Sequence, residues 1–83
     1  MEKSIYTREY KILLRLLRET RERAGVTQVE LAKRLAQTQS YVSKIEMGDR
    51  RLDFVQLRTI LTALGASLKD FVSQFEGALE DQN

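Results

Sequence analysis

The sequence contains no cysteine and no histidine, and these two absences exclude several kinds of functional site. Without cysteine the chain can form no disulfide, no reactive thiol and no Cys-based zinc site. Without histidine it lacks the usual general base and the commonest metal ligand. It also has no glycine-rich phosphate loop and no acidic cluster at metal-ligand spacing. We therefore expect no enzymatic activity, no bound metal and no cofactor.

Long hydrophobic runs are absent as well. No apolar stretch approaches the roughly 20 residues that a helix needs to cross a bilayer. The opening residues, Met-Glu-Lys-Ser, are not followed by the apolar segment of a signal peptide. We expect a cytoplasmic protein without a membrane partner. A chain of 83 residues makes one domain, 1–83, and leaves no room for a separate module that binds a small-molecule effector.

Proline is also missing, no alternation of apolar and polar residues is sustained, and helix-favouring residues dominate. Each apolar-periodic segment follows a residue whose side-chain oxygen can cap a helix. These are Thr7, Thr27, Thr38, Asp53 and Ser67. The pairs Thr27/Glu30 and Asp53/Gln56 have capping-box spacing. The pattern predicts an all-α, compact five-helix domain with helices at about 7–24, 28–36, 39–47, 54–64 and 68–78.

The charges are distributed unevenly along the chain. Residues 1–52 hold 12 Lys and Arg against 7 Asp and Glu, whereas residues 53–83 hold 2 against 5. A basic first part and an acidic second part are typical of a protein that meets a polyanion with one side. Chance scatter of solvated helix charges is the alternative interpretation, so charge alone identifies no partner.

The apolar residues predict the core and one surplus surface. The first helix carries a stripe that includes Tyr6, and we expect Val55, Leu68 and Val72 of the last two helices to face inward. Further along the fifth helix, Phe75 and Leu79 would be exposed in a monomer, together with part of Phe71. This patch predicts a two-fold dimer interface formed by Phe71, Phe75 and Leu79. Packing of these residues against the first helix is the alternative.

Residues 27–48 have the pattern of two short helices joined by a tight turn. The residues expected to face inward are Leu31, Ala32, Leu35, Val42 and Ile45. The outward row of the second helix would then be Gln39, Ser40, Tyr41, Ser43 and Lys44. These side chains can hydrogen-bond to base edges and phosphates in a DNA groove. An ordinary solvated helix face is the alternative interpretation of the same row.

The spacing of this segment resembles the helix-turn-helix of the phage repressor and Cro (XRE-type) family, over roughly residues 17–72. The resemblance is carried by Leu17, Arg21, Gly25, Thr27-Gln28, Glu30-Leu31-Ala32, Leu35, Ser40, Val42, Ile45-Glu46, Gly48 and Arg50. It continues through Leu57, Ile60 and Ala63-Leu64-Gly65. One position departs from the pattern, because Ala36 stands where the family usually has a glycine in the turn.

The resemblance implies a role for each part of the motif. Helix 39–47 would be the recognition helix, with Gln39, Ser40, Tyr41, Ser43 and Lys44 as candidates for base contact. Phosphate contacts would come from Thr27, Gln28, Arg50 and Arg51. Arg21 and Glu46 would form a partly buried ion pair that orients the recognition helix.

Two functions follow as expectations. The first is a homodimeric regulator of transcription that binds double-stranded DNA at an inverted repeat, as a repressor or operon controller. The alternative is a protein-interaction module, such as an antitoxin that binds a toxin through its C-terminal helix. Such a module would leave the third helix exposed and would show no salt-sensitive binding to DNA.

Overall fold

A computed structural model describes residues 7–81, and within that range it contains five α-helices and no strand. The helices are α1 (Arg8–Arg23), α2 (Gln28–Arg34), α3 (Gln39–Met47), α4 (Phe54–Ala63) and α5 (Leu68–Asp81). The predicted all-α, five-helix fold is confirmed. Two ends differ from the prediction by more than one residue: α2 stops at Arg34 and α5 continues to Asp81. Tyr6 lies outside the described residues.

The helices begin where the sequence predicts, because each start has a side chain that accepts an otherwise unpaired backbone N–H. The accepting residues are Thr7, Thr27, Thr38, Asp53 and Ser67. Both predicted capping boxes are complete, since Glu30 and Gln56 each accept the backbone N–H of their own cap residue. Local hydrogen bonding thus determines the helix starts.

The core lies between α1, α3 and α4 and is closed by α2 and α5. Leu17, Ile45 and Leu61, from three different helices, are its most completely buried large side chains. Each such residue stabilises the fold by about 1.5–3 kcal/mol relative to an exposed position. The core therefore fixes α3 from behind. No helix within residues 7–81 has the combined length and apolar character that a bilayer crossing requires.

The fifth helix packs differently from the prediction. Phe71 is only 3% exposed and belongs to the core, while Phe75 and Leu79 are half-buried against it. Arg8 strengthens the contact by donating a hydrogen bond of 2.7 Å to the carbonyl oxygen of Leu79. The expected exposure of Phe71 is therefore wrong, because α5 packs along α1. Val72, expected to face inward, is 41% exposed, because it lies one residue beyond Phe71 and about 100° around the helix.

One further inward prediction is wrong. Val55, in the first turn of α4, is 72% exposed, and its neighbour Phe54 is 64% exposed. The buried face of α4 begins two residues later at Leu57 and continues at Ile60 and Leu61. These three positions follow helical spacing, and the first turn of α4 extends beyond the core. Phe54 and Val55 therefore form an exposed apolar pair.

The helix-turn-helix is built around a small residue. Ala32 of α2 is 3% exposed and lies among Leu31, Val42 and Ile45, so α2 and α3 pack closely at this point. Ala36, in the turn between the helices, has a φ of 56°, which is the left-handed region that glycine adopts more readily. The turn thus has the left-handed backbone typical of a glycine, although alanine occupies this position.

Candidate nucleic-acid interface

The outward face of α3 carries polar side chains at helical spacing. Val42 and Ile45 are buried, so the opposite side of this nine-residue helix points away from the core. Gln39, Ser40 and Lys44 are exposed there. Ser43 lies on the same side and is half-buried. Four of the five residues predicted for base contact therefore share one accessible surface.

Met47 also belongs to this surface, although it is not among the residues predicted for base contact. It is 64% exposed at the last position of α3. Its place seven residues after Ser40 and four after Ser43 puts it on the same face. Helical spacing alone could have identified it. A thioether end here would suit an apolar contact, such as the methyl group of thymine.

Tyr41 lies at the flank of α3 rather than in the outward row. Its ring is half-buried against the core, and its hydroxyl accepts a 3.4 Å hydrogen bond from the Gln56 amide of α4. The guanidinium carbon of Arg50 lies 4.8 Å from the centre of the ring. The predicted outward position of Tyr41 is therefore incorrect, because Tyr41 follows Ser40 by one residue and points towards α4.

Arg21 of α1 and Glu46 of α3 form a buried bidentate ion pair. Arg21 Nε lies 2.6 Å from Glu46 Oε2, and a second guanidinium nitrogen donates to Oε1 at 3.1 Å. The third nitrogen donates to the carbonyl oxygen of Val26 at 2.9 Å. The hydrogen bond to Glu46 raises the pKa of Arg21, and this effect exceeds the lowering caused by burial. The guanidinium is therefore charged at every physiological pH and holds α3 to α1.

Gln28 extends this ion pair towards the outward face of α3. Its amide nitrogen donates to Glu46 Oε1 at 2.9 Å, and its amide oxygen accepts from the Gln39 nitrogen at 3.3 Å. The side chains of four residues thus form one continuous hydrogen-bond network, which we call the Arg21–Gln39 network. Its members, in order, are Arg21, Glu46, Gln28 and Gln39. It links α1, α2 and the first residue of α3. The Gln39 amide is therefore hydrogen-bonded, through Gln28, to the buried ion pair.

Thr27, a predicted phosphate ligand, is occupied by the capping box at the start of α2. Its hydroxyl oxygen accepts from the Glu30 N–H at 3.1 Å, and its own N–H donates to Glu30 Oε1 at 3.0 Å. The backbone hydrogen bond from Thr27 is the largest of the influences that lower the pKa of Glu30. The hydroxyl proton of Thr27 remains able to donate, because the box uses only the oxygen.

Arg50 and Arg51 lie on the loop that connects α3 with α4, and both are exposed. Gly48 opens this loop with a φ of 84°, and an added Cβ would come within 3.3 Å of Leu14 Cδ1. The loop is therefore held close to α1. The Arg51 guanidinium carbon lies 5.8 Å from the centre of the Tyr10 ring. The predicted pair of loop arginines is thus exposed and lies against tyrosine rings of α3 and α1.

Comparison with known proteins agrees with this geometry. A family described as "Helix-turn-helix domain" matches residues 12–71. A solved structure described as "XRE-family like protein from Pseudomonas syringae pv. tomato str. DC3000" is 40% identical, with a TM-score of 0.83. The match covers 90% of this chain and 92% of that one. The sequence matches no protein of curated function. The chain therefore belongs to the XRE-type helix-turn-helix family of DNA-binding transcription regulators.

Proposed function

We propose that this protein is a small homodimeric regulator that binds an inverted-repeat operator, as a repressor or operon controller, with α3 in the major groove. The observation that supports this proposal best is the exposed polar face of α3 on a buried support. Gln39, Ser40 and Lys44 face solvent, while the Arg21–Glu46 pair fixes the helix from behind. A recognition helix needs both properties, because base contacts require side chains held at a defined height in the groove.

The Gln39 amide is the best candidate for reading a base. One of its N–H groups donates to Gln28, which leaves the second N–H and the carbonyl oxygen for a ligand. A glutamine amide with one free donor and one free acceptor can pair bidentately with adenine. The bond to Gln28 reduces the rotational freedom that Gln39 would otherwise lose on binding. Ser40, Ser43 and Lys44 would read or contact the following positions.

The proposed phosphate contacts come from both ends of the helix-turn-helix. Gln28 and Thr27 lie at the start of α2, where the hydroxyl of Thr27 can still donate. Arg50 and Arg51 lie exposed on the loop after α3. Contacts of this kind fix the position of the protein on the duplex and are insensitive to base sequence.

The residues predicted for the dimer interface are partly used within the protomer, so we propose a different surface. Phe71 is in the core, and Phe75 and Leu79 are half-buried against it. Phe54 and Val55 are the adjacent large apolar residues that stay exposed, at 64% and 72%. They directly follow the arginine loop, so a two-fold contact there would bring the loops of the two protomers near each other. The two recognition helices of such a dimer must lie about 34–36 Å apart.

Selection of bound fragments from random duplex DNA, followed by sequencing, tests this proposal. We expect an inverted repeat whose half-site centres are about 10–10.5 base pairs apart. Binding of a selected fragment should weaken steeply as salt concentration rises, because bound phosphates release counterions. Enrichment of no sequence, or retention independent of salt, would disprove the proposed function.

The interaction-module alternative depended on exposed aromatic residues of α5. Since Phe71 is buried and Phe75 is half-buried, this helix offers a partner less apolar surface than expected. No contact in the described residues favours that alternative over DNA binding.

A further inference from the structure

Each arginine of the α3–α4 loop lies over a tyrosine ring from a different helix. The Arg50 guanidinium carbon is 4.8 Å from the ring centre of Tyr41 on α3. The Arg51 guanidinium carbon is 5.8 Å from the ring centre of Tyr10 on α1. Both distances are within the roughly 6 Å range of a cation–π interaction. Within residues 7–81, neither arginine forms an ion pair with a carboxylate.

The backbone of this loop is held at the same places. The N–H groups of Asp49 and Arg50 both donate to the carbonyl oxygen of Lys44, at 2.8 and 3.2 Å. The N–H of Leu52 donates to the hydroxyl of Tyr10 at 3.0 Å. The start and the end of the loop are thus attached to α3 and α1, and each attached helix also supplies one ring.

A cation–π contact suits an arginine that must later bind phosphate. It limits the rotation of a long side chain, whose ordering would otherwise reduce affinity. It uses the face of the guanidinium and leaves the five in-plane N–H donors free. An ion pair with a carboxylate would also order the side chain, but it would occupy those donors and cancel the charge.

We propose that Tyr41 and Tyr10 are positioning residues, which hold Arg50 and Arg51 ready for the DNA backbone without touching DNA themselves. The proposal depends on the proposed DNA-binding function and assigns a role to two residues that no base or phosphate needs to reach. Tyr41 is the stronger of the two, because its ring is nearer to its arginine.

The test measures affinity for a 30-base-pair duplex of random sequence over a series of salt concentrations, since phosphate contacts do not depend on sequence. Tyr41→Leu keeps an apolar side chain and removes the ring, and we expect about a two- to fivefold loss of affinity. The salt slope should remain close to that of the wild type, because Arg50 keeps its charge. Arg50→Ala should instead reduce the slope by about 0.9.

Two further variants separate positioning from simple structural support. Tyr41→Phe keeps the ring and loses the hydrogen bond from Gln56, so its affinity should match the wild type. In the Arg50→Ala background, Tyr41→Leu should cause no further loss, because the residue it positions is gone. An equal loss in Tyr41→Phe, or an undiminished loss in the double variant, would overturn the proposal. Circular dichroism establishes that each variant is folded.

An NMR measurement without DNA distinguishes this proposal from the proposed function. The side-chain protons of Arg50 over the Tyr41 ring should resonate upfield, in the wild type and in Tyr41→Phe but not in Tyr41→Leu. If the wild type binds duplex DNA but shows no upfield shift, the stacking of Arg50 on Tyr41 is refuted and the DNA-binding function is not. If the wild type shows the upfield shift but does not bind duplex DNA, the DNA-binding function is refuted. The positioning role of Tyr41 is then refuted with it.

Discussion

Ala36 holds a backbone conformation that costs alanine more than glycine. Its φ of 56° lies in the left-handed region, and its side chain is exposed. The strain of such a position is about 1–2 kcal/mol, which exceeds the extra backbone entropy that a glycine loses on folding. Ala36→Gly should therefore raise the free energy of unfolding by about 0.5–1 kcal/mol.

Urea unfolding followed by circular dichroism measures this change. Ala24→Gly is the matched control, because Ala24 is also an exposed residue after a helix but has a right-handed φ of −75°. The control should be slightly destabilised. Destabilisation of both variants by the same amount would mean that the turn carries no strain.

Removal of one member of the Arg21–Glu46 pair leaves a buried charge without a partner. The two side chains are only 11% and 5% exposed. Glu46→Leu should cost about 3–5 kcal/mol. Since a single core of this size supplies about 3–5 kcal/mol, we expect this variant to be largely unfolded at 25 °C.

The double variant Arg21→Met/Glu46→Leu removes both charges and keeps the volume, so it should regain most of the lost stability. Circular dichroism at 25 °C compares the three proteins. A double variant that is as unfolded as the single one would show that the hydrogen bonds from Arg21 to Val26 and from Gln28 to Glu46 matter more than the charges.

Gln39→Ala tests the proposed separation of base contact from phosphate contact. The change should relax preference at one or two operator positions, at a cost of about 1–3 kcal/mol. Competition between the selected operator and single-base variants measures it. Arg50→Ala is the control, and it should weaken binding to every competitor alike. Similar loss of preference in both variants would contradict this separation.

At the scale of the helix, the start of α2 contains a stabilising hydrogen bond that depends on pH. The pKa of Glu30 is lowered, so its contribution is present above the ordinary glutamate pKa and is lost as the pH falls through the lowered value. The side-chain amide of the Glu30→Gln variant can still accept a hydrogen bond from the Thr27 N–H, as Gln56 does from the Asp53 N–H. Unlike a carboxylate, this amide does not titrate. The wild type should be the more stable protein at neutral pH, and this advantage should disappear in acid.

Urea unfolding of both proteins at neutral pH and at a series of acidic pH values measures that difference. Gln56→Glu, in the second capping box, gives the reciprocal change and should introduce a similar pH dependence at α4. A difference between wild type and Glu30→Gln that stays constant with pH would exclude ionisation of Glu30 as its cause.

The helix starts and the buried helix-turn-helix residues could be predicted because they depend on neighbours in sequence. Thr27 and Asp53 cap helices through residues three positions away. The positions of Tyr41 and Phe71 could not be predicted in the same way. Each lies at the edge of an apolar stripe, and whether such a residue faces core or solvent depends on how whole helices rotate against each other. The ring contacts of Arg50 and Arg51 also depend on tertiary structure.

At the scale of the whole molecule, the dimer proposal depends on which apolar surface remains exposed. Phe54→Ser/Val55→Ser should convert a dimer into a monomer, because it removes the exposed apolar pair of α4 without adding charge. Specific binding to the inverted repeat should weaken strongly, since one protomer then engages one half-site.

Sedimentation velocity measures the oligomeric state. Val72→Ser is the matched control on α5, where the side chain is 41% exposed, and it should leave the dimer intact. A dimer that survives the α4 change but dissociates with Leu79→Ser would assign the interface to α5, as the sequence first indicated.

The Arg21–Gln39 network should influence which residues on the outward face of α3 can change as such a regulator evolves. Descendants could exchange Ser40, Ser43 or Lys44 singly, because within residues 7–81 their side chains form no hydrogen bond or ion pair with the rest of the protein. Gln39 is different, since its amide donates to Gln28, which in turn donates to the buried carboxylate of Glu46. A residue at position 39 without that donor would leave the Gln28 amide oxygen to solvent and would loosen the side chain that contacts Glu46. New operator preferences should therefore arise first at the later positions of α3.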